Sequence, residues 1–335
     1  MNNFLKQFFK IGLPLLVGVY LTWYFFHQMS EEAMQSFYRA LRETNYWVIA
    51  LSLAIGVLTY WSRAYRWKYT LEPLGHTSSS WNRYHSLMIG YIVNLTIPRA
   101  GEASRAMMLQ RSDNVPFSVS FGTIITERIV DVVLLMSITL VTMAIGKNDF
   151  WHLYHEMLFE FGAGEDASQK SLLYILLISF VSLGLVLFLV PKTRTIIVQF
   201  AKSLVNGIFS IFKLAQPWSY LGHTALIWIG YIIMFALPYY SLNETMNVPF
   251  EGILIAFIAG SLGISFTNGG IGTYPLLVGF VTAFYLKRQG VEDALAIANA
   301  LGMLIWASQA LIMLVMGLAS LYFLPKNYDK DAVTK

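Results

Sequence analysis

Apolar positions in this chain fall in long unbroken runs, not in the alternation of a half-buried strand or the narrow stripe of a soluble helix. Runs at 11–27, 46–62, 171–190, 224–242 and 294–324 approach or exceed the roughly 20 residues that a helix needs to cross about 30 Å of hydrocarbon. Another starts near Pro116 and Ser118 and ends about residue 145. Each predicts a membrane-spanning helix. Two further apolar regions are built differently. Residues 85–97 supply about 13 positions, roughly 20 Å of helix, before Pro98 removes a backbone donor and Gly101 follows. Residues 252–285 are interrupted at Asn268, Gly269, Gly270 and Gly272, which suits two half-helices around a glycine-rich turn. The expected fold is therefore an all-α polytopic membrane protein with about six full spans plus two re-entrant helical hairpins. A single crossing over 252–286 is the competing reading. Irregular backbone at membrane depth has to be buried in protein or line a wet cavity.

Composition strengthens this picture. Of the 335 residues 56% are hydrophobic and only 13% charged, which suits a bilayer as solvent. The first run follows Lys6 and Lys10, as in a signal peptide, but no small-residue cleavage site follows and Trp23, Tyr24, Phe25 and Phe26 close it. It reads as an uncleaved first helix. The net charge of +4 belongs to loops between spans and tracks membrane orientation, so no nucleic-acid partner is expected. With no cysteine, disulfides, thiolate metal sites and a cysteine nucleophile are excluded.

Basic residues in short loops set the orientation. Arg63, Arg66, Lys68 and Arg83 mark one loop as cytoplasmic, and Lys192, Arg194, Lys202 and Lys213 mark another. Residues 146–170, with Asp149, Glu156, Glu160, Glu165 and Asp166 against Lys147 and Lys170, read as external, as do 241–252 with Glu244 and Glu251. Both termini then lie on the cytoplasmic side of the inner or plasma membrane. The whole chain, 1–335, reads as one integral membrane domain. It has a first repeat over about 1–145, an external loop at 146–170, a second repeat over about 171–324 and a cytoplasmic tail at 325–335. The second repeat enters from the opposite side, the pattern of an inverted-topology repeat, in which transporters place substrate near the midplane between broken helices. Lys287 and Arg288 would then lie outside, against the positive-inside rule.

Charge inside the spans is concentrated in one place. Ionisable groups at membrane depth are costly and mark function by default. The span starting near Pro116 carries Glu127, Arg128 and Asp131 about 10 residues, or 15 Å, into the membrane. Glu127 and Asp131 share a helix face, and Arg128 stands three before Asp131. Just upstream, the tip of the first hairpin holds Asn94, Pro98, Arg99, Gly101, Glu102 and Arg105. A half-helix starting near Gly101 would aim N–H groups and a positive dipole end at an anion. Arginine forks bind phosphate through paired hydrogen bonds, and the acids can hold each guanidinium in place. The alternative is that Arg99, Glu102, Arg105, Glu127, Arg128 and Asp131 form an ion network that merely pins the hairpin to the span. Arg111 and Asp113 read as a solvated loop. Trp61, Trp67, Trp81 and Trp218 read as interfacial anchors.

Little else suggests chemistry. His152, His155 and Glu156 have neither a third ligand nor zinc-hydrolase spacing, and there is no phosphate loop or nucleophile elbow. No catalytic group, metal or cofactor is expected. The longest polar stretches, roughly 25 to 30 residues, are too short for a soluble catalytic domain.

The run Asn94-Leu-x-x-Pro98-Arg-Ala-Gly101-Glu102-x-x-Arg105, then Thr126-Glu127-Arg128-Ile-Val-Asp131, resembles two signatures of the flippase-like family that includes the transmembrane region of lysylphosphatidylglycerol synthase. Asn268-Gly269-Gly270-Ile271-Gly272 is similar to its third signature, with Asn268 in place of the family proline. Pro275 stands where a glutamate is frequent, and 300–308 lacks an arginine often found there. The resemblance implies a polytopic helical fold with re-entrant segments. In the best-known member it implies movement of aminoacylated phosphatidylglycerol across the bilayer. It carries Arg99, Gly101, Glu102, Arg105, Glu127, Arg128 and Asp131 over as site positions. The expected partners are membrane lipids with anionic head groups, with a second copy of the chain or a separate lipid-modifying enzyme as further possibilities. A membrane-embedded transferase using Glu127 or Asp131 as base, or a non-transporting assembly subunit, are the alternatives.

Overall fold

The structure, a computed structural model, describes residues 13–97, 100–160 and 211–325, together with positions 195, 199, 202 and 209. Among these residues every regular element is helical. They fall into two compact units, residues 1–127 with 214–335, and residues 128–213.

In chain order the helices are α1 (Leu13–Gln28), α2 (Glu31–Glu43), α3 (Tyr46–Arg66), α4 (Lys68–Leu71), α5 (Ser80–Thr96), α6 (Gly101–Asp113), α7 (Phe117–Ile145), α8 (Lys147–Glu160), α9 (Pro217–Ala236), α10 (Phe250–Phe266), α11 (Thr273–Arg288) and α12 (Ala294–Phe323). Their starts follow from local chemistry. Ser30, Asn45 and Ser79 cap α2, α3 and α5 by accepting from Ala33, Trp47 and Asn82 N–H groups. Among the described residues four helical stretches are long and apolar enough to cross a membrane: Tyr46–Leu74, Phe117–Ile145, Pro217–Ser241 and Ala294–Phe323. Large apolar side chains such as Leu58, Leu140 and Leu311 point outward from them, as a lipid-facing surface requires. The expected span at 171–190 lies outside the described residues. The short run at 85–97 belongs to a longer helix than expected, because the Ser79 cap starts α5 at Ser80 and gives it 17 residues. In the second unit, the expected external segment carries helix α8.

Two helical hairpins organise the first unit. In the first, α5 and α6 run antiparallel, with Asn82 donating to Asp113 at one end and Gly101 N–H donating to Asn94 Oδ1 (2.7 Å) at the other. Their backbones touch. A Cβ on Gly90 would lie 2.8 Å from the Gly101 carbonyl oxygen, and one on Gly101 would collide with the Gly90 carbonyl and the Asn94 amide. In the second hairpin, α10 and α11 also run antiparallel, with Gly252 against Tyr285 and Gly263 against Tyr274. Their turn requires positive φ at Gly269 (58°), Gly270 (79°) and Gly272 (73°), where a side chain would be strained. Thr273 Oγ1 ties the turn back to the Gly263 carbonyl at 2.7 Å.

The two hairpin tips meet. Asn268 Nδ2 donates to the Thr96 carbonyl at 3.3 Å, and Leu95 packs on Gly269. Trp306 of α12 donates to the Gly269 carbonyl at 2.8 Å. From outside, α1 closes on the same turn, with Gly18 against Ile271 and Gly272. Helix α12 packs along α11, α5 and α2, and α9 packs along α3.

Candidate functional site

The chemistry of the first unit gathers where α3, α6, α7 and α9 come together. The last turn of α3 supplies Arg63 and Arg66, the second turn of α6 supplies Arg105, and α7 supplies Glu127 three turns from its start. Arg105 donates from both Nη atoms to the Glu127 carboxylate, at 2.9 and 3.3 Å, which is the two-pronged geometry that favours arginine over lysine. Arg66 Nη2 lies 3.8 Å from the same carboxylate, and its Nη1 donates to Thr224 Oγ1 at 2.8 Å. Glu127 and Arg66 are 0% exposed and Arg105 is 3% exposed.

Trp67 fixes Arg105 from a second direction. The guanidinium carbon sits 3.7 Å from the indole centroid, while the indole N–H donates to Thr123 Oγ1 at 2.8 Å. The ring therefore faces the cation and is held by its edge. Beneath it Leu71, Ala106, Leu109, Val115 and Ile124 form an apolar cluster that keeps water out and strengthens every charge interaction above. Arg63, one turn before Arg66, donates to the Tyr231 hydroxyl at 3.1 Å. Two charged groups out of water are tolerated only with this kind of geometry, since desolvation otherwise exceeds the attraction.

The predicted positions divide as follows. Arg105 meets Glu127, and Asn94 meets Gly101, whose N–H it occupies. Glu102 lies half-buried in the first turn of α6, which starts at Gly101 as the sequence suggested. Asn268, wholly buried, joins the second tip to the first, with Gly269, Gly270 and Gly272 shaping the turn. Arg128 and Asp131 fall in the second unit, where they pair with each other at 3.8 Å, Arg128 being 41% exposed. Arg99 lies outside the described residues.

Four side chains are placed differently from the sequence reading. Arg63, Arg66 and Arg83 stand on helices α3 and α5, not in a loop between spans, and are buried at 3%, 0% and 3%. Arg83 instead donates to the Ala64 carbonyl, closing the end of α3. Lys68, in the same segment, is partly exposed. Trp67 is no interfacial anchor, because it is fully buried under Arg105, whereas Trp81 and Trp218 are exposed. The available signal was the Arg63-x-x-Arg66-Trp67 spacing, which puts two arginines on one face at the end of an uncharged helix.

A family profile described as the lysylphosphatidylglycerol synthase TM region matches residues 11–315. The chain belongs to this family. A UPF0104 membrane protein of Methanocaldococcus jannaschii is 27% identical over 105 residues, covering 30% of this chain. The match spans 31% of that protein, less than a third of its length. No solved structure matches the chain. Family membership and the apolar helices together make this a helical, multi-pass membrane protein.

Asn268 gives a side-chain N–H to the Thr96 carbonyl across the tip contact. Pro275 and Met303, the latter within 300–308, line a cavity of about 20 Å³ with Thr22, Gly272 and Asn299.

Proposed function

We propose that this protein is a flippase-like transporter that moves an anionic lipid, or a lipid-linked amphipath, across the inner or plasma membrane without changing it chemically. The observation that supports this best is the wholly buried Arg105–Glu127 fork, stacked on Trp67 and close in sequence to a hairpin tip. An arginine held by a carboxylate at membrane depth can exchange that partner for a phosphate of the same charge and geometry. Glu127 then acts as the placeholder that restores the site after release.

In this reading both hairpins are re-entrant, the two halves of the chain form an inverted repeat in one membrane domain, and both termini are cytoplasmic. The meeting of the tips at Thr96 and Asn268 supports the repeat, since substrate in such folds sits between broken helices of the two halves. Arg99 and Glu102 join the site on the strength of the motif. The partners are anionic membrane lipids, supplied by a separate lipid-modifying enzyme or handled by an assembly of several copies.

The test is reconstitution in proteoliposomes with head-group-labelled lipids in one leaflet. Redistribution of an anionic lipid that is recovered chemically intact is the expected result. Unchanged leaflet distribution across a panel of anionic lipids, with folded protein, refutes the transport reading. Recovery of a modified lipid would point to the transferase.

A further inference from the structure

Behind the hairpin tips, four helices of the first unit each turn a tyrosine toward the same region. They are Tyr60 of α3, Tyr91 of α5, Tyr231 of α9 and Tyr274 of α11. Tyr60 packs its ring 5.2 Å from that of Tyr91 and 6.4 Å from that of Tyr231, and its phenol is within electrostatic reach of Tyr274. Tyr274 opens α11 directly after the glycine turn, and Tyr91 stands one turn before Asn94, so the group lies just behind the tip contact.

One hydrogen bond to these phenols has a fixed direction. Arg63 can only donate, so the Tyr231 oxygen is the acceptor at 3.1 Å. The Tyr231 and Tyr91 hydroxyls face each other at 3.4 Å, where either can donate. Tyr60 is 2% exposed, yet its hydroxyl has no hydrogen-bond partner among the described residues. Leaving a buried hydroxyl unsatisfied costs about 1–3 kcal/mol, and phenylalanine would fill the same space without that cost. A donor kept there is free to meet an acceptor from outside the chain.

We propose that Tyr60, Tyr91, Tyr231 and Tyr274 form a hydrogen-bonding subsite for the acceptor oxygens of an anionic lipid head group, taking the oxygens of its outer group, such as the glycerol hydroxyls of phosphatidylglycerol, beyond the phosphate held by the arginine cluster. The subsite rests on the transport reading above and extends it, because it gives the head group a polar wall beyond Arg63 and Arg105. Its ligands are oxygens presented by an anionic glycerophospholipid. A zwitterionic choline head group, whose outer end offers no acceptor, is a poor match for a wall of donors.

The decisive variant is Tyr60→Phe in the full-length protein, which removes one oxygen and leaves the packing of Ala64, Tyr84, Leu87 and Met88 around the ring in place. Two readouts are taken on wild type and variant, the initial rate of phosphatidylglycerol movement in proteoliposomes and the thermal stabilisation produced by phosphatidylglycerol over phosphatidylcholine in detergent. The expected result is an unchanged or higher melting temperature without lipid. It goes with a rate or an affinity about tenfold lower, the upper size of one hydrogen bond to a neutral acceptor. Equal rate and equal phosphatidylglycerol stabilisation in both proteins overturns the subsite while leaving transport standing. If wild type does not transport but Tyr60→Phe still weakens phosphatidylglycerol stabilisation, the transport reading fails and the subsite stands. If wild type shows neither transport nor stabilisation by phosphatidylglycerol, both fall.

Discussion

Glu127→Gln is the most informative single change in this protein. The substitution keeps the shape and one acceptor oxygen but removes the charge that faces Arg105 at 2.9 Å and Arg66 at 3.8 Å. With an effective dielectric of about 20, a unit pair near 4 Å is worth roughly 4 kcal/mol. Removing one member of a buried pair costs about 3–5 kcal/mol, because the remaining charge stays desolvated without its counterion. Here two guanidinium groups lose the same carboxylate, so the upper part of that range is expected. Unfolding in mixed micelles, titrated with a denaturing detergent, measures the loss. The pair can also be removed together. Arg105→Met with Glu127→Leu replaces the fork by apolar groups of similar volume, and such swaps are often neutral or stabilising. The double variant should therefore recover the share of the loss that belongs to Arg105, though not that of Arg66, and still fail to move anionic lipid. A Glu127→Gln protein within about 1 kcal/mol of wild type would refute the electrostatic argument. A double variant that regains transport along with stability would show that the fork is only a structural clamp.

Other consequences can be checked more briefly. Gly101→Ala should destabilise the first hairpin by about 1–3 kcal/mol, because the new methyl collides with the Gly90 carbonyl and the Asn94 amide. Gly122→Ala, in a helix with open space at that point, should be neutral or stabilise by up to about 1 kcal/mol in the same titration. Trp67→Phe removes the bond to Thr123 and part of the surface under Arg105, so a loss of about 1–2 kcal/mol and weaker binding of anionic lipid are expected, the first by unfolding and the second by thermal shift. Because the native chain has no cysteine, a pair introduced at 96 and 268 gives a clean report of the tip contact. Efficient linking by a short bifunctional reagent is expected, and absence of linking would show the tips apart.

The parts of this architecture that depend on local pattern were legible in the sequence. The apolar runs marked α3, α7, α9 and α12, and Pro98 with Gly101 marked the break between α5 and α6. The pairing of Arg105 with Glu127 was within reach because both stand out against apolar surroundings. Arg66 and Trp67 were not, for a physical reason. A basic residue at the end of a span serves orientation when it meets water and serves a site when it is buried, and only the packing of α3 against α9 decides which. Trp67 presents the same ambiguity, since an indole can suit a head-group layer as well as the underside of a guanidinium. The contact between Thr96 and Asn268 joins positions 172 apart, and nothing local in either segment points to the other.

That contact also constrains how the chain can change over time. Asn268 contributes its side chain, but position 96 contributes only its main-chain carbonyl, which every amino acid possesses. The recognition is blind to sequence on one side. Residue 96 can drift without breaking it, while the residue at 268 must retain a donor of suitable reach. Mutual substitution at the two positions is therefore not expected, and comparisons of related sequences that search for correlated changes would pass over a place where the two halves of the molecule touch.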